Sequence, residues 1–140
     1  MKNLKNKNIL VTGGARGIGR QIAIEFAKHS ANIIICDADK NFMNGKAFID
    51  TVNEIKSFGV ECIYYHLDVV DIEIIKEVRE KIIQDLGKID ILVNNAGVVF
   101  GGKFLDVDID KHHLTYDVNT QGVINMTYIF LPDLISKDTS

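Results

Sequence analysis

The sequence predicts an α/β fold, a doubly wound parallel sheet held between two layers of helices. Three observations predict it. Short β-branched runs alternate with longer amphipathic segments along the chain. The connections are too long for hairpins, so successive strands are joined by crossovers and run parallel. A glycine-rich loop lies between the first strand-like run and the first helix-like one, where such sheets bind ligands. With 140 residues, 46% of them hydrophobic, the chain suits one domain with a core of ordinary size.

The first run, NILVT (Asn8 to Thr12), is short, apolar and followed by glycines, as a buried parallel strand is. From Gly17, Ile18, Ile22 and Phe26 recur at helical spacing with Ala23 and Ala27 beside them, which predicts one narrow face against the sheet. NIIIC (Asn32 to Cys36) predicts the second strand. Phe48, Val52, Ile55 and Phe58 mark the next helix, with Gly59 suited to its C-terminus. ECIYYHL (Glu61 to Leu67) reads as strand three. Asp71 can cap a helix whose face, Ile75, Val78, Ile82 and Leu86, ends at Gly87. IDILVNN (Ile89 to Asn95) reads as strand four.

After the loop Gly97 to Gly102, a long helical segment from about Asp110 to Ile135 places Leu114 and Val118, then Ile124, Tyr128, Leu131 and Ile135, at helical spacing. Pro132 and Asp133 are expected to end it, with SKDTS (Ser136 to Ser140) as connector. The result is β-α repeated four times, an incomplete three-layer sandwich with strand order 3-2-1-4.

A net charge of −3, with no Lys/Arg cluster beyond Met1 to Lys7, gives no electrostatic case for nucleic acid or an anionic membrane. Met1 to Lys7 lacks the apolar core of a signal peptide, and Val123 to Ile135 is too short and too polar to span a bilayer. A cytoplasmic protein with small-molecule or protein partners is expected. Cys36 and Cys62 read as two buried thiols rather than a disulfide or metal frame.

TGGARGIG (Thr12 to Gly19) joins strand to helix, so its glycines can present helix N-terminal amides to a pyrophosphate. Gly13 can make the tight turn, Gly17 can admit the phosphate, and Gly19 can let the helix pack down on the strand. The spacing is G-x-x-x-G-x-G, and no Gly-Lys-Ser/Thr ending follows, which argues against nucleoside triphosphate hydrolysis. Asp37, at the end of strand two, can take both ribose hydroxyls of an adenosine and repel a 2′-phosphate. It favours NAD over NADP. Arg16 is the residue that would suit NADP, and Asp39 is a second carboxylate nearby.

Together TGGARGIG, LDV (Leu67 to Val69), NNAG (Asn94 to Gly97) and VNTQG (Val118 to Gly122) resemble the short-chain dehydrogenase/reductase family, in order and at its usual intervals. The resemblance covers residues 7 to 140 and implies a Rossmann-type domain. It implies cofactor binding by Gly13, Ala15, Arg16, Gly17, Ile18, Gly19 and Asp37. Asp68 would accept the adenine amine and Val69 pack on its ring, while Ala96 and Gly97 let backbone approach the ribose. Asn94 and Asn95 are as much sheet-stabilising as ligand-binding. Asn119 matches the family's catalytic Asn, placed mid-helix at a kink and holding a water in a proton relay.

Family members move hydride between nicotinamide and an alcohol or carbonyl carbon, using a Tyr-x-x-x-Lys pair and a Ser. None of Tyr64, Tyr65, Tyr116 or Tyr128 is followed four residues on by Lys, and no serine follows a fifth strand. The four histidines offer no replacement. The expectation is the N-terminal part of a single NAD(P)-binding domain, inactive alone, with strand four an unprotected edge and the last helix short of neighbours. The competing reading is a non-catalytic nucleotide-binding or interaction module. A methyltransferase fits neither Asn-Asn-Ala-Gly nor the Asn119 helix. The apolar loop Val98 to Val107 hints at a lipid-like alcohol or ketone, and a complete protein is expected to form homo-oligomers.

Overall fold

The computed structural model describes residues 4–137. Residues 1–3 of the polar N-terminal stretch and residues 138–140 of the expected connector lie outside the described residues. Strands β1 (Asn8–Thr12), β2 (Asn32–Asp37), β3 (Cys62–His66) and β4 (Ile91–Val93) form one parallel sheet in the order β3-β2-β1-β4. Alternation along a strand sends Ile9 and Val11 to one face and Leu10 to the other, so β1 feeds two separate cores. Helices α1 (Gly17–Lys28) and α3 (Lys46–Ser57) cover the first face. Helices α4 (Ile72–Asp85) and α6 (Gly122–Lys137) cover the second. A single turn, α2 (Lys40–Met43), precedes α3, where the sequence suggested one helix only.

The expected caps are present. The Asp71 carboxylate accepts the N–H groups of Glu73 and Ile74, both at 3.1 Å. Gly59 and Gly87 close α3 and α4 with φ of +79° and +94°. Cys36 and Cys62 are free and buried.

Five expectations need correction. The buried face of α1 is Gly19, Ala23, Ile24 and Ala27, while Ile18 is exposed and Ile22 and Phe26 are half-buried. Small side chains let the helix axis come close to the sheet, which pushes the larger residues to the flanks. In α3, Phe58 sits exposed at the C-cap and Thr51 takes a buried place, donating to the Ala47 carbonyl and accepting from Arg20 Nε at 2.8 Å.

Strand β4 is shorter than expected, because beyond Val93 the N–H groups of Asn95 and Ala96 turn to the Thr12 hydroxyl instead of continuing the ladder.

The last helical segment is α5 (Ile109–Tyr116), a π-turn over Asp117–Gln121, and α6. A π-turn spends an extra residue and rotates the helix beyond it. Met126, Phe130 and Asp133 are therefore inside, whereas Ile124, Tyr128, Leu131 and Ile135 are exposed. Pro132 and Asp133 do not end the helix. Asp133 is 2% exposed and receives Arg79 Nε and Nη2 at 2.7 and 2.6 Å, a bidentate clamp between α6 and α4. No helix among the described residues is long and apolar enough to cross a membrane.

Candidate functional site

The glycine loop turns at Gly13, whose φ of +62° is open mainly to glycine and whose N–H donates to the Cys36 carbonyl at 2.8 Å. A Cβ on Gly19 would lie 2.2 Å from the Gly13 carbonyl oxygen and 2.5 Å from Asn95 Nδ2. That glycine therefore lets the loop, the helix and the segment after β4 interlock, a tighter role than packing helix on strand. Gly17 differs: φ is +58° and nothing lies within 4 Å of its missing side chain, so its backbone is open to a ligand. Arg16, at the N-cap of α1, gives the helix no side-chain cap, leaving the first-turn amides without one.

At the end of β2 the Asp37 carboxylate is oriented by backbone. Its Oδ2 accepts the Ala15 N–H at 3.1 Å and its Oδ1 the Asp39 N–H at 3.0 Å. Each oxygen keeps acceptor capacity for a hydroxyl. A cleft of about 460 Å³ runs along the C-terminal ends of the strands. Gly13, Arg16, Ile18, Gly19, Asp37, Asp68, Val69, Asn95, Ala96 and Gly97 line it, whereas Ala15, Gly17 and Asn119 are not in its wall. Leu67, Val98, Leu114 and Val118 line it too and were not singled out as site residues. Leu114 and Val118 were legible only as helix periodicity.

Asp68 accepts the Val70 N–H at 3.1 Å, a side-chain turn that aligns it with the cleft wall. Val69 is buried, and a Cβ on Gly122 would fall 2.4 Å from its Cγ2, so the glycine of VNTQG seats this valine between core and cleft.

Two further side chains assemble the site. The Thr12 hydroxyl donates to the Val93 carbonyl and accepts the N–H groups of Asn95 and Ala96, both at 3.0 Å. Asn95 Nδ2 donates to the carbonyls of Thr12 and Gly13, so both of its protons hold the glycine loop. Thr12 was not singled out; a hydroxyl as the last residue of β1 was its signal.

Asn119 stands in the π-turn. Its Oδ1 accepts the Val98 N–H and its Nδ2 donates to the Val98 carbonyl, both at 2.8 Å. Its side chain thus fixes the backbone just past Gly97. None of the four tyrosines lines the cleft. Tyr65 donates to Asp85, and burial together with that carboxylate pushes its hydroxyl well above the ordinary value.

The family model for short chain dehydrogenases matches residues 7–140. A curated relative, short-chain dehydrogenase/reductase 3 of Homo sapiens, is 37% identical over 135 residues, covering 96% of this chain and 43% of the relative. Among solved structures, carveol dehydrogenase from Mycobacterium avium in complex with NAD superposes with a TM-score of 0.85 at 26% identity, over 98% of this chain and 52% of that one. An alcohol dehydrogenase from Thermococcus sibiricus complexed with 5-hydroxy-NADP gives 0.82 at 28% identity, over 91% and 53%. The chain spans about half the length of these proteins.

Proposed function

The chain belongs to the short chain dehydrogenase family, and from that premise we propose that it binds NAD for hydride transfer between nicotinamide and an alcohol or carbonyl carbon. The observation that carries this is Asp37, held by two backbone amides beside the uncapped N-terminus of α1 in one cleft. A fixed carboxylate with free acceptor capacity suits a ribose diol and opposes a 2′-phosphate. The first-turn amides and the open Gly17 suit a pyrophosphate. NAD, when bound, supplies the hydride carrier. The chain's own residues would bind and orient it: Asp68 would accept from the adenine amine and Val69 would pack on the ring, while Asn119 sets the backbone at Val98 in the same cleft wall.

These residues form the N-terminal part of a single NAD(P)-binding domain. The 140 residues hold no Tyr-x-x-x-Lys pair, so the proton transfer that accompanies hydride movement needs groups they do not supply. Alone, the chain binds cofactor without turnover. The loop past β4 exposes Val99, Phe104 and Leu105, which supports an apolar alcohol or ketone as substrate. A cytoplasmic setting and homo-oligomers of the complete protein complete the reading.

The test is to titrate NADH and NADPH into the purified chain by fluorescence while assaying secondary alcohols. NADH binding tighter than NADPH, lost in Asp37→Ala, is expected. Absence of NADH binding, or turnover by the chain alone, would overturn the corresponding part.

A further inference from the structure

The described residues of the cleft wall carry three carboxylates, Asp37, Asp39 and Asp68, and one cation, Arg16. That cation is engaged. Its Nη2 lies 3.1 Å from Asp39 Oδ2, and its guanidinium carbon sits 5.0 Å from the centre of the Phe42 ring. Asp39 divides its two oxygens: Oδ1 accepts the Phe42 N–H at 2.9 Å as the cap of α2, and Oδ2 faces Arg16. The same short turn thus builds the carboxylate and the ring that hold the arginine. The Asp39 N–H in turn donates to Asp37, so the discriminating carboxylate and the arginine's partner are one unit.

We infer that Asp39 is a second cofactor-discriminating residue: it holds Arg16 over Phe42 and cancels its charge, so a 2′-phosphate meets two carboxylates and no free cation. This rests on the cofactor reading of the cleft. On it, Asp37 supplies the direct repulsion, and Asp39 acts through Arg16 as a positioning residue. Neutralising Asp39 removes at once the partner that holds the arginine and a charge that repels the phosphate, so a doubly charged phosphate then meets a free guanidinium.

The experiment measures dissociation constants of NADH and NADPH for the full chain, Asp39→Asn, Arg16→Ala and the double variant. Asparagine caps a helix as well as aspartate does, so the substitution removes charge and keeps the turn. NADH affinity is expected to stay within about twofold while NADPH binding tightens about tenfold, a shift that the added Arg16→Ala abolishes. Asp39→Ser, a shorter neutral cap, repeats the test independently of the first variant. Phe42→Leu, which frees the guanidinium from the ring, should give a smaller gain of the same sign.

An NADPH to NADH ratio unmoved by both neutral caps overturns the inference, as does a gain that survives loss of Arg16. A wild-type chain that binds neither dinucleotide overturns the cofactor assignment itself, and the inference with it.

Discussion

The two sides of β1 are built differently. Toward β2 the ladder runs five residues, Asn8 to Thr12 against Asn32 to Cys36, and the apolar residues Ile33 to Ile35 are fully buried under α1, α3 and α4. Toward β4 it runs three residues, Ile91 to Val93 are only half-buried, and the helix behind them presents Ile124, Tyr128, Leu131 and Ile135 to solvent. Backbone pairing and apolar burial hold the first side. On the second, specific polar contacts substitute for part of that burial: Thr12 and Asn95 at the cleft, Asn125 Nδ2 on the Val69 carbonyl, and Arg79 on Asp133. The cleft lies along the junction, so its geometry depends on the less buried side.

The sharpest break of this contrast is Gly19→Ala, which drives a methyl into the Gly13 carbonyl and Asn95 at once. It should cost about 3 kcal/mol in urea unfolding and remove NADH binding. Arg79→Leu strands a buried carboxylate on the second side and is expected to cost ~3 kcal/mol, while Arg79→Leu with Asp133→Leu recovers most of it. Equal losses in the single and double variants would show that charge pairing is not what holds α6 to α4. Thr12→Val takes the acceptor from the Ala96 N–H and leaves the Asn95 N–H with the Val93 carbonyl, which it also reaches at 3.1 Å; it should cost about 2 kcal/mol, with faster hydrogen exchange at Ala96 than at β2.

A smaller effect tests the first side by pH. Burial pushes the Cys62 thiol up to about 12 from 9.0, with Lys56 opposing and Glu61 assisting, and burial with Asp37 raises Cys36 further. The native state holds these protons more tightly than the unfolded chain. Their stabilising contribution is therefore complete below pH 9.0 and is lost as pH climbs from 9.0 toward 12. Cys62→Val should flatten the fall in unfolding free energy between pH 8 and 10 by about 1 kcal/mol. Smallest of all, Tyr128→Ser should change stability by under about 0.5 kcal/mol. A larger loss would mean that the outer face of α6 is covered in solution.

The first side was the more legible in sequence, for a physical reason. The residues of β1 were readable because a doubly buried strand is an unbroken apolar run, and Asp37 because it ends such a run. The face of α1 was misread because close packing selects small residues, and Ala23 and Ala27 carry little hydrophobic signal beside Ile18 and Phe26. On the second side α6 is apolar on both faces, so a period of 3.6 fits the exposed Ile124, Tyr128, Leu131 and Ile135 as well as the buried Met126 and Phe130, and the π-turn breaks the register from Val118 that would have told them apart. Asp133 was read as a helix end because a lone acidic residue does not announce a partner on another helix. The cleft's glycines and Asp68 were legible as motif. Asp39's hold on Arg16 was not, since it depends on how a four-residue turn folds back.

The Thr12 hydroxyl carries a consequence for the order of events in folding. Its partners, Asn95 and Ala96, are 83 and 84 residues away along the chain. Contacts that distant bear the full entropy of closing a long loop and form late. The end of the cleft built by Gly13 and Asp37 can take shape once β1 and β2 have paired. Its opposite wall cannot until β4 has been synthesised and docked. A ribosome-bound chain released only as far as β3 should therefore possess the Asp37 carboxylate and yet have no groove to put it in.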